Sequence, residues 1–153
     1  MGAYVIYTIP VDTKQGYYQV TIYKLHREKL AFFSPNDKNY TFKVMTFGPT
    51  NAPIFYTYIM GKLRIEWNAL FLETARKRKV IGSMTVRVTE SDEIYLNGIK
   101  NFSGRKWIIE NILTWSTNLD LILIDFECVC KVFKKYCVRF RIDKCEFLKD
   151  RVE

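Results

Sequence analysis

The sequence predicts an α+β fold, an antiparallel sheet with two long helices packed on one of its faces. Three observations carry this. Runs of β-branched and aromatic residues alternate along the chain with two long stretches at helical spacing. Turn-forming residues, above all Asn97-Gly98, separate neighbouring runs by loops of hairpin length, which pair strands antiparallel. A hydrophobic fraction of 48% with 16% aromatic residues supplies enough apolar surface to offset chain entropy. With 153 residues, no internal repeat and no Gly/Ser- or Pro-rich linker, residues 1–153 suit a single domain.

Taken in order, the run from Tyr4 to Val11 suits a pleated, buried strand and leads straight into Asp12, which falls at or near the strand's end. A polar turn, Thr13 to Gly16, follows. For Tyr17 to Tyr23, periodicity leaves a short helical turn and a strand equally open. Leu30–Phe33 and Tyr40–Met45 flank the turn-rich segment Ser34 to Asn39 and read as a β-hairpin. Phe47 to Pro53 breaks that pattern. Asn51 is placed to cap a helix from Ala52 to Leu72, whose Ile54, Tyr58, Ile59, Leu63 and Trp67 recur near helical spacing.

The basic cluster from Thr74 to Lys79 reads either as a phosphate-contacting patch or, more commonly for such runs, as a solvated helix end. Met84 to Phe102 predicts a second hairpin turning at Asn97-Gly98. Trp107 to Trp115 is mostly apolar but carries Glu110 and Asn111 at its centre, which a further hairpin would place at its tip. Leu119 to Tyr136 is the clearest helix. Leu119, Ile122, Leu123, Phe126, Val129, Cys130 and Phe133 form its apolar face, Asn118 its cap, and Lys131, Lys134 and Lys135 its cationic end. Val138 to Asp143 alternates as a half-exposed strand should.

The 24 Lys and Arg against 16 Asp and Glu give a formal charge of +8, a potential that attracts polyanions and makes nucleic acid the first partner to test. No run approaches the ~20 apolar residues of a membrane span, and the first residues carry no secretory signal, so no membrane partner is expected and the location is intracellular, cytoplasmic or nuclear. Cys128, Cys130, Cys137 and Cys145 match no standard zinc spacing and His26 lies far from them; reduced structural thiols are favoured over a metal site.

Three stretches resemble, in order, the reverse transcriptases of gypsy-like LTR retrotransposons: Val11 to Val20, Val44 to Pro53 with its Phe-Gly-Pro-Thr-Asn-Ala-Pro, and Asp143 to Leu148. The middle stretch is the most specific. The resemblance implies a reverse-transcriptase-like palm and RNA-directed DNA synthesis by two-metal transfer of a deoxynucleotide onto a primer. It implies Mg2+ or Mn2+ as cofactor, weakly bound, with Asp12 and Glu110 as its ligands, because hard cations need oxygen donors. It implies that Tyr17 excludes a 2′-hydroxyl by steric fit, although a buried core tyrosine accounts for the residue equally from sequence, and that Phe47, Gly48, Asn51 and Pro53 lie beside template and incoming nucleotide.

The chain also departs from the family. Where the Tyr-x-Asp-Asp box belongs, the aligned residues are Ile108, Ile109, Glu110 and Asn111; the carboxylate of Glu110 is displaced by a methylene and Asn111 is neutral. Thr46 replaces a proline, and about 73–106 reads as an insertion before the box. The start of the fingers, the thumb and the ribonuclease H are missing from the aligned region. A weak or inactive reverse transcriptase fragment is expected, with a decayed, basic nucleic-acid-binding module as the alternative.

Overall fold

A computed structural model describes residues 7–81, 86–88, 94–96, 99–108 and 111–148, with backbone alone at 86–88, 94–96, 99–103, 107 and 108. The fold is α+β. Five antiparallel strands form the main sheet: β1 (Tyr7–Asp12), β4 (Val86–Val88), β5 (Ile94–Leu96), β6 (Ile99–Ile108) and β7 (Asn111–Ser116), in the order β1-β7-β6-β5-β4. A separate two-stranded ribbon pairs β2 (Ala31–Phe33) with β3 (Asn39–Thr41). Among the described residues the α-helices are α1 (Ala52–Lys77) and α2 (Leu119–Lys135).

Strand pairing explains which side chains meet the helices. Val11 lies opposite Ile112, Ile9 opposite Thr114, and Thr114 opposite Arg105. All five are buried, and because directly paired residues point to the same face, they define the helix side of the sheet. Helix α2 packs on β1 and β7, and α1 packs on α2. On the other face Trp115 lies over Gly104: a Cβ there would come within 2.3 Å of the indole, so only glycine admits this packing.

The core is tied together by a buried ion pair that crosses three elements. The Arg105 Nε of β6 donates to both Asp125 carboxylate oxygens of α2 at 2.9 Å, while Trp67 of α1 donates its Nε1–H to Asp125 Oδ1 at 3.0 Å. The Arg105 guanidinium lies over the Trp67 ring at 4.2 Å and over Phe71 at 5.0 Å, and also donates to Asn68. Arg105 and Asp125 have side-chain exposures of 0% and 1%. This network corrects the apolar face expected for α2. The buried side is Leu121, Ile122, Ile124, Asp125, Cys128, Val129, Val132 and Phe133, whereas Leu119 and Leu123 are exposed. A polar residue satisfied inside the core has turned the helix relative to its hydrophobic pattern.

Both helices are where the sequence puts them, with differences at the ends. The Asn118 side chain accepts from the Leu121 N–H at 3.2 Å, the expected cap of α2. Asn51 makes no such bond. Its own backbone is already helical (φ −88°, ψ −4°), so its side chain cannot swing back, and α1 instead opens with Pro53 in its first turn, where a missing N–H costs nothing. Helix α1 runs five residues past Leu72, to Lys77, because Ala75 is fully buried and Glu73 pairs with Lys77 at 2.6 Å. The basic cluster is thus a helix end, with Arg78 held by Glu127 at 2.6 Å.

The hairpin expected around Asn97-Gly98 forms between β5 and β6, where Leu96 pairs with Ile99; the two turn residues lie outside the described ones. The expected insertion supplies the end of α1, β4, β5 and most of β6. The hairpin near residue 40 forms but ends at Thr41. Residues 17–23 resolve into a 3-10 turn, Gly16–Gln19, followed by a bridge from Thr21 to Val44. The strand expected over 138–143 reduces to one bridge, Phe140 to Thr13, and then a 3-10 turn at Ile142–Lys144. The segment meets the outer edge of β1 only at its end, where the Arg141 N–H donates to the Asp12 carbonyl, because the 3-10 turn at Ile142–Lys144 then carries it away from the strand.

Candidate functional site

Asp12 is the last residue of β1 and pairs directly with Asn111, the first of β7. Their neighbours Val11 and Ile112 face the helices, so Asp12 and Asn111 face the opposite side of the sheet. Asn111 also pairs with Ile108, the last residue of β6. Asn111 therefore lies in the strand rather than at the tip, one position from where the polarity pattern puts it. Ile109 and Glu110 lie outside the described residues, so the expected metal ligand Glu110 has no described side chain.

Past Asp12 the chain turns sharply, and local chemistry fixes the turn. The Thr13 hydroxyl is buried 3.1 Å from the Tyr56 hydroxyl, and a Cβ on Gly16 would lie 2.3 Å from the same oxygen. Gln19 then bridges inward. Its amide nitrogen donates to the Lys14 and Arg139 carbonyls, at 2.5 and 3.1 Å, and its carbonyl accepts from the Arg139 N–H at 2.6 Å. This joins the turn after β1 to the segment after α2.

Tyr17 enters the core at 5% exposure, stacked on Tyr56 at 4.9 Å and tilted against Phe47 at 4.7 Å. Phe47 is 61% exposed and touches Tyr18 edge-on at 5.7 Å. Gly48 follows in the left-handed region (φ 113°), a backbone that a side chain would strain, and it sends the chain toward α1. Asn51 and Pro53 are exposed at the start of that helix.

Asp12, Phe47 and Asp143, one from each of the three motifs, open onto one cleft of about 690 Å³. Lys14, Arg141 and Lys144 bring positive charge to its wall and Tyr18 and Phe140 bring aromatic surface. Asn51 and Pro53 are not among the described residues lining it. Arg141 donates to Asp143 at 2.8 Å, and this bond holds the Asp143 carboxyl below the usual carboxylate range while raising the guanidinium. Lys144 Nζ stands 3.5 Å from Asp12 Oδ2. Burial raises the nearby Cys145 thiol. All four cysteines are free thiols.

The cations of the wall escaped sequence reading. Lys144 adjoins a motif residue, Asp143, but nothing in the sequence says that the chain returns it to Asp12. The alternation at Arg139, Phe140 and Arg141 was a usable signal for a charged surface, though it pointed to a strand.

A pair of divalent cations does not fit the described donors as they stand. Near the tip they comprise one carboxylate, Asp12, already faced by an ammonium, and one neutral amide, Asn111; among the described residues no three His, Cys, Asp or Glu side chains converge. Among the described residues, no helix is long and apolar enough to cross a membrane. No protein-family model matches the chain, and no curated protein matches its sequence.

Proposed function

We propose that this chain is a reverse-transcriptase-derived palm domain, an RNA-directed DNA polymerase by ancestry with feeble turnover. Its partners are an RNA template, a DNA primer and deoxynucleotides, inside the cell. The observation that carries the reading is the convergence of the three motif stretches, distant in sequence, on one cleft. Unrelated motif matches would have no reason to share a wall. The setting of Asp12 beside the β6–β7 tip also supports it, since a carboxylate from each of those two places is what the reaction class uses.

In this reading the exposed faces of Phe47 and Tyr18 stack a base, and the ammonium of Lys14 meets a phosphate at the cleft wall. Tyr17 supports Phe47 from inside the core instead of meeting the sugar itself. Asp12 is the one described carboxylate beside the β6–β7 pair, and this is the reason for reading turnover as feeble.

The test is primer extension on an RNA template with deoxynucleotides and Mg2+ or Mn2+. Extension by the wild-type chain that is lost in Asp12→Ala supports the enzyme. Enhanced extension by Glu110→Asp/Asn111→Asp supports the alignment of the box. No extension by any folded variant overturns polymerisation.

The neutral Asn111 and the lysine facing Asp12 favour a second reading, a decayed basic module that keeps nucleic-acid binding without turnover. An RNA–DNA duplex would then bind with an affinity that falls steeply with salt, through counterion release. Salt-insensitive binding, or none at low salt, overturns this reading.

A further inference from the structure

The lysine at Asp12 is held there by the backbone. The Arg141 N–H donates to the Asp12 carbonyl at 2.8 Å, tying the segment after α2 to the end of β1. The chain then makes a 3-10 turn closed by Lys144 N–H to the Arg141 carbonyl at 3.0 Å and Cys145 N–H to the Ile142 carbonyl at 3.1 Å. The Cys145 thiol adds a contact to the Arg141 carbonyl at 3.3 Å. One short turn thereby delivers two cations to the two carboxylates of the cleft, Arg141 to Asp143 and Lys144 to Asp12. The opposite neighbour of Asp12 in the sheet, Asn111, carries no charge.

We propose that Lys144 is a tethered counter-cation at Asp12, occupying the place a free divalent ion would take, so that an ion binds there only by displacing it. This rests on the reading of Asp12 as a cation-facing carboxylate. An ammonium and a hard metal ion compete for the same oxygen lone pairs. The lysine neutralises one unit of charge without leaving the chain, whereas an ion must be gathered from solution. Lys144 is more than half exposed, so its hold is modest and it can swing into solvent.

The experiment titrates Mn2+ alone into the full chain, reading free Mn2+ by its electron paramagnetic resonance signal, with far-UV circular dichroism as a check on folding. Lys144→Ala should tighten Mn2+ binding by about twofold to fivefold, the size of one exposed charge contact. Lys144→Arg, which keeps the cation, should stay near the wild-type affinity, and Lys144→Gln provides a second neutral variant should the alanine protein fold poorly. Asp12→Asn should weaken binding and cancel the gain from Lys144→Ala. If the neutral variants bind as the wild type does while Asp12→Asn binds worse, Lys144 is not the competitor and Asp12 stands as a ligand. An equal gain in the Asp12→Asn background reduces the effect to general charge and overturns the proposal. No binding by any variant up to millimolar Mn2+ overturns both the proposal and the reading of Asp12.

Discussion

Removing Arg105 alone should cost far more than removing it together with its partner. In Arg105→Met the side-chain volume is largely kept, but the Asp125 carboxylate, 1% exposed, loses its cation while still accepting from the Trp67 indole N–H. At 2.9 Å and an effective dielectric constant near 20, the attraction lost is about 5–6 kcal/mol, and a buried pair broken from one side typically costs about 3–5 kcal/mol. That is a large share of the ~5–15 kcal/mol by which domains are stable. In Arg105→Met/Asp125→Leu both charges leave together. Trp67 keeps a partner, because its Nε1–H also donates to the Asp125 backbone carbonyl at 3.2 Å. The double variant should therefore recover most of the loss. Urea unfolding followed by tryptophan fluorescence measures both, and with a slope near 2 kcal/mol per molar the single variant's midpoint falls by about 2 M. A single substitution costing less than about 1 kcal/mol, or a double variant no better than the single one, would refute the account of Arg105 and Asp125 as a mutually dependent buried pair.

Three further outcomes follow from particular contacts. Gly104→Ala should displace the Trp115 indole and destabilise the chain by about 1–3 kcal/mol, seen as a changed emission spectrum together with a lower urea midpoint. Glu66 bridges α1 to the end of α2; its bonds to Lys135 and then Tyr136 depress its folded pKa, so its contribution is present above the unfolded carboxylate value near 4.5 and is lost as pH falls through the lower folded value. Glu66→Gln should flatten the acid limb of a Tm-against-pH curve while leaving its neutral-to-basic side parallel to wild type. With a thiol reagent at pH 8, Cys137, which is exposed, should react first, and Cys128, Cys130 and Cys145, whose thiols burial raises, should react slowly until urea is added; equal rates for all four would contradict the packing of α2.

The parts of the fold legible in the sequence were those set by local chemistry. Asn118 caps α2 because its side chain reaches the N–H of Leu121, three residues on, and Leu96 pairs with Ile99 because Asn97-Gly98 fits a two-residue turn. What escaped was decided between distant elements. The face of α2 turns on Asp125, which reads as a solvent-facing residue until Arg105 arrives from β6. Asn111 belongs to a strand and not to a tip, because its pairing with Asp12 holds it in β7. In the site, Asp12 at the end of its strand was readable, and so was Phe47 in its glycine-marked turn. Lys144 was not, since only the backbone bonds of the segment after α2 bring it to the cleft.

The two faces of the sheet carry separate burdens, and this bears on how a site can decay. Ile9, Val11, Ile112, Thr114 and Arg105 face the helices and are buried, so changes there act through cavities and unpaired charges. Asp12 and Asn111 sit in the same strands, one residue away, on the opposite face of the sheet, and Asp12 opens onto the cleft. A substitution there changes charge without touching the core. Asn111 in place of an aspartate would even relieve repulsion with the directly opposite Asp12, since like charges facing across a strand pair are unfavourable. A change of charge on this face is thus neutral or favourable for folding, and the layers of sheet and helices persist whichever residue stands there. Persistence of the fold is therefore no argument for activity. The proposed activity is therefore tested by measurements that read the Asp12 side of the sheet, metal binding and primer extension.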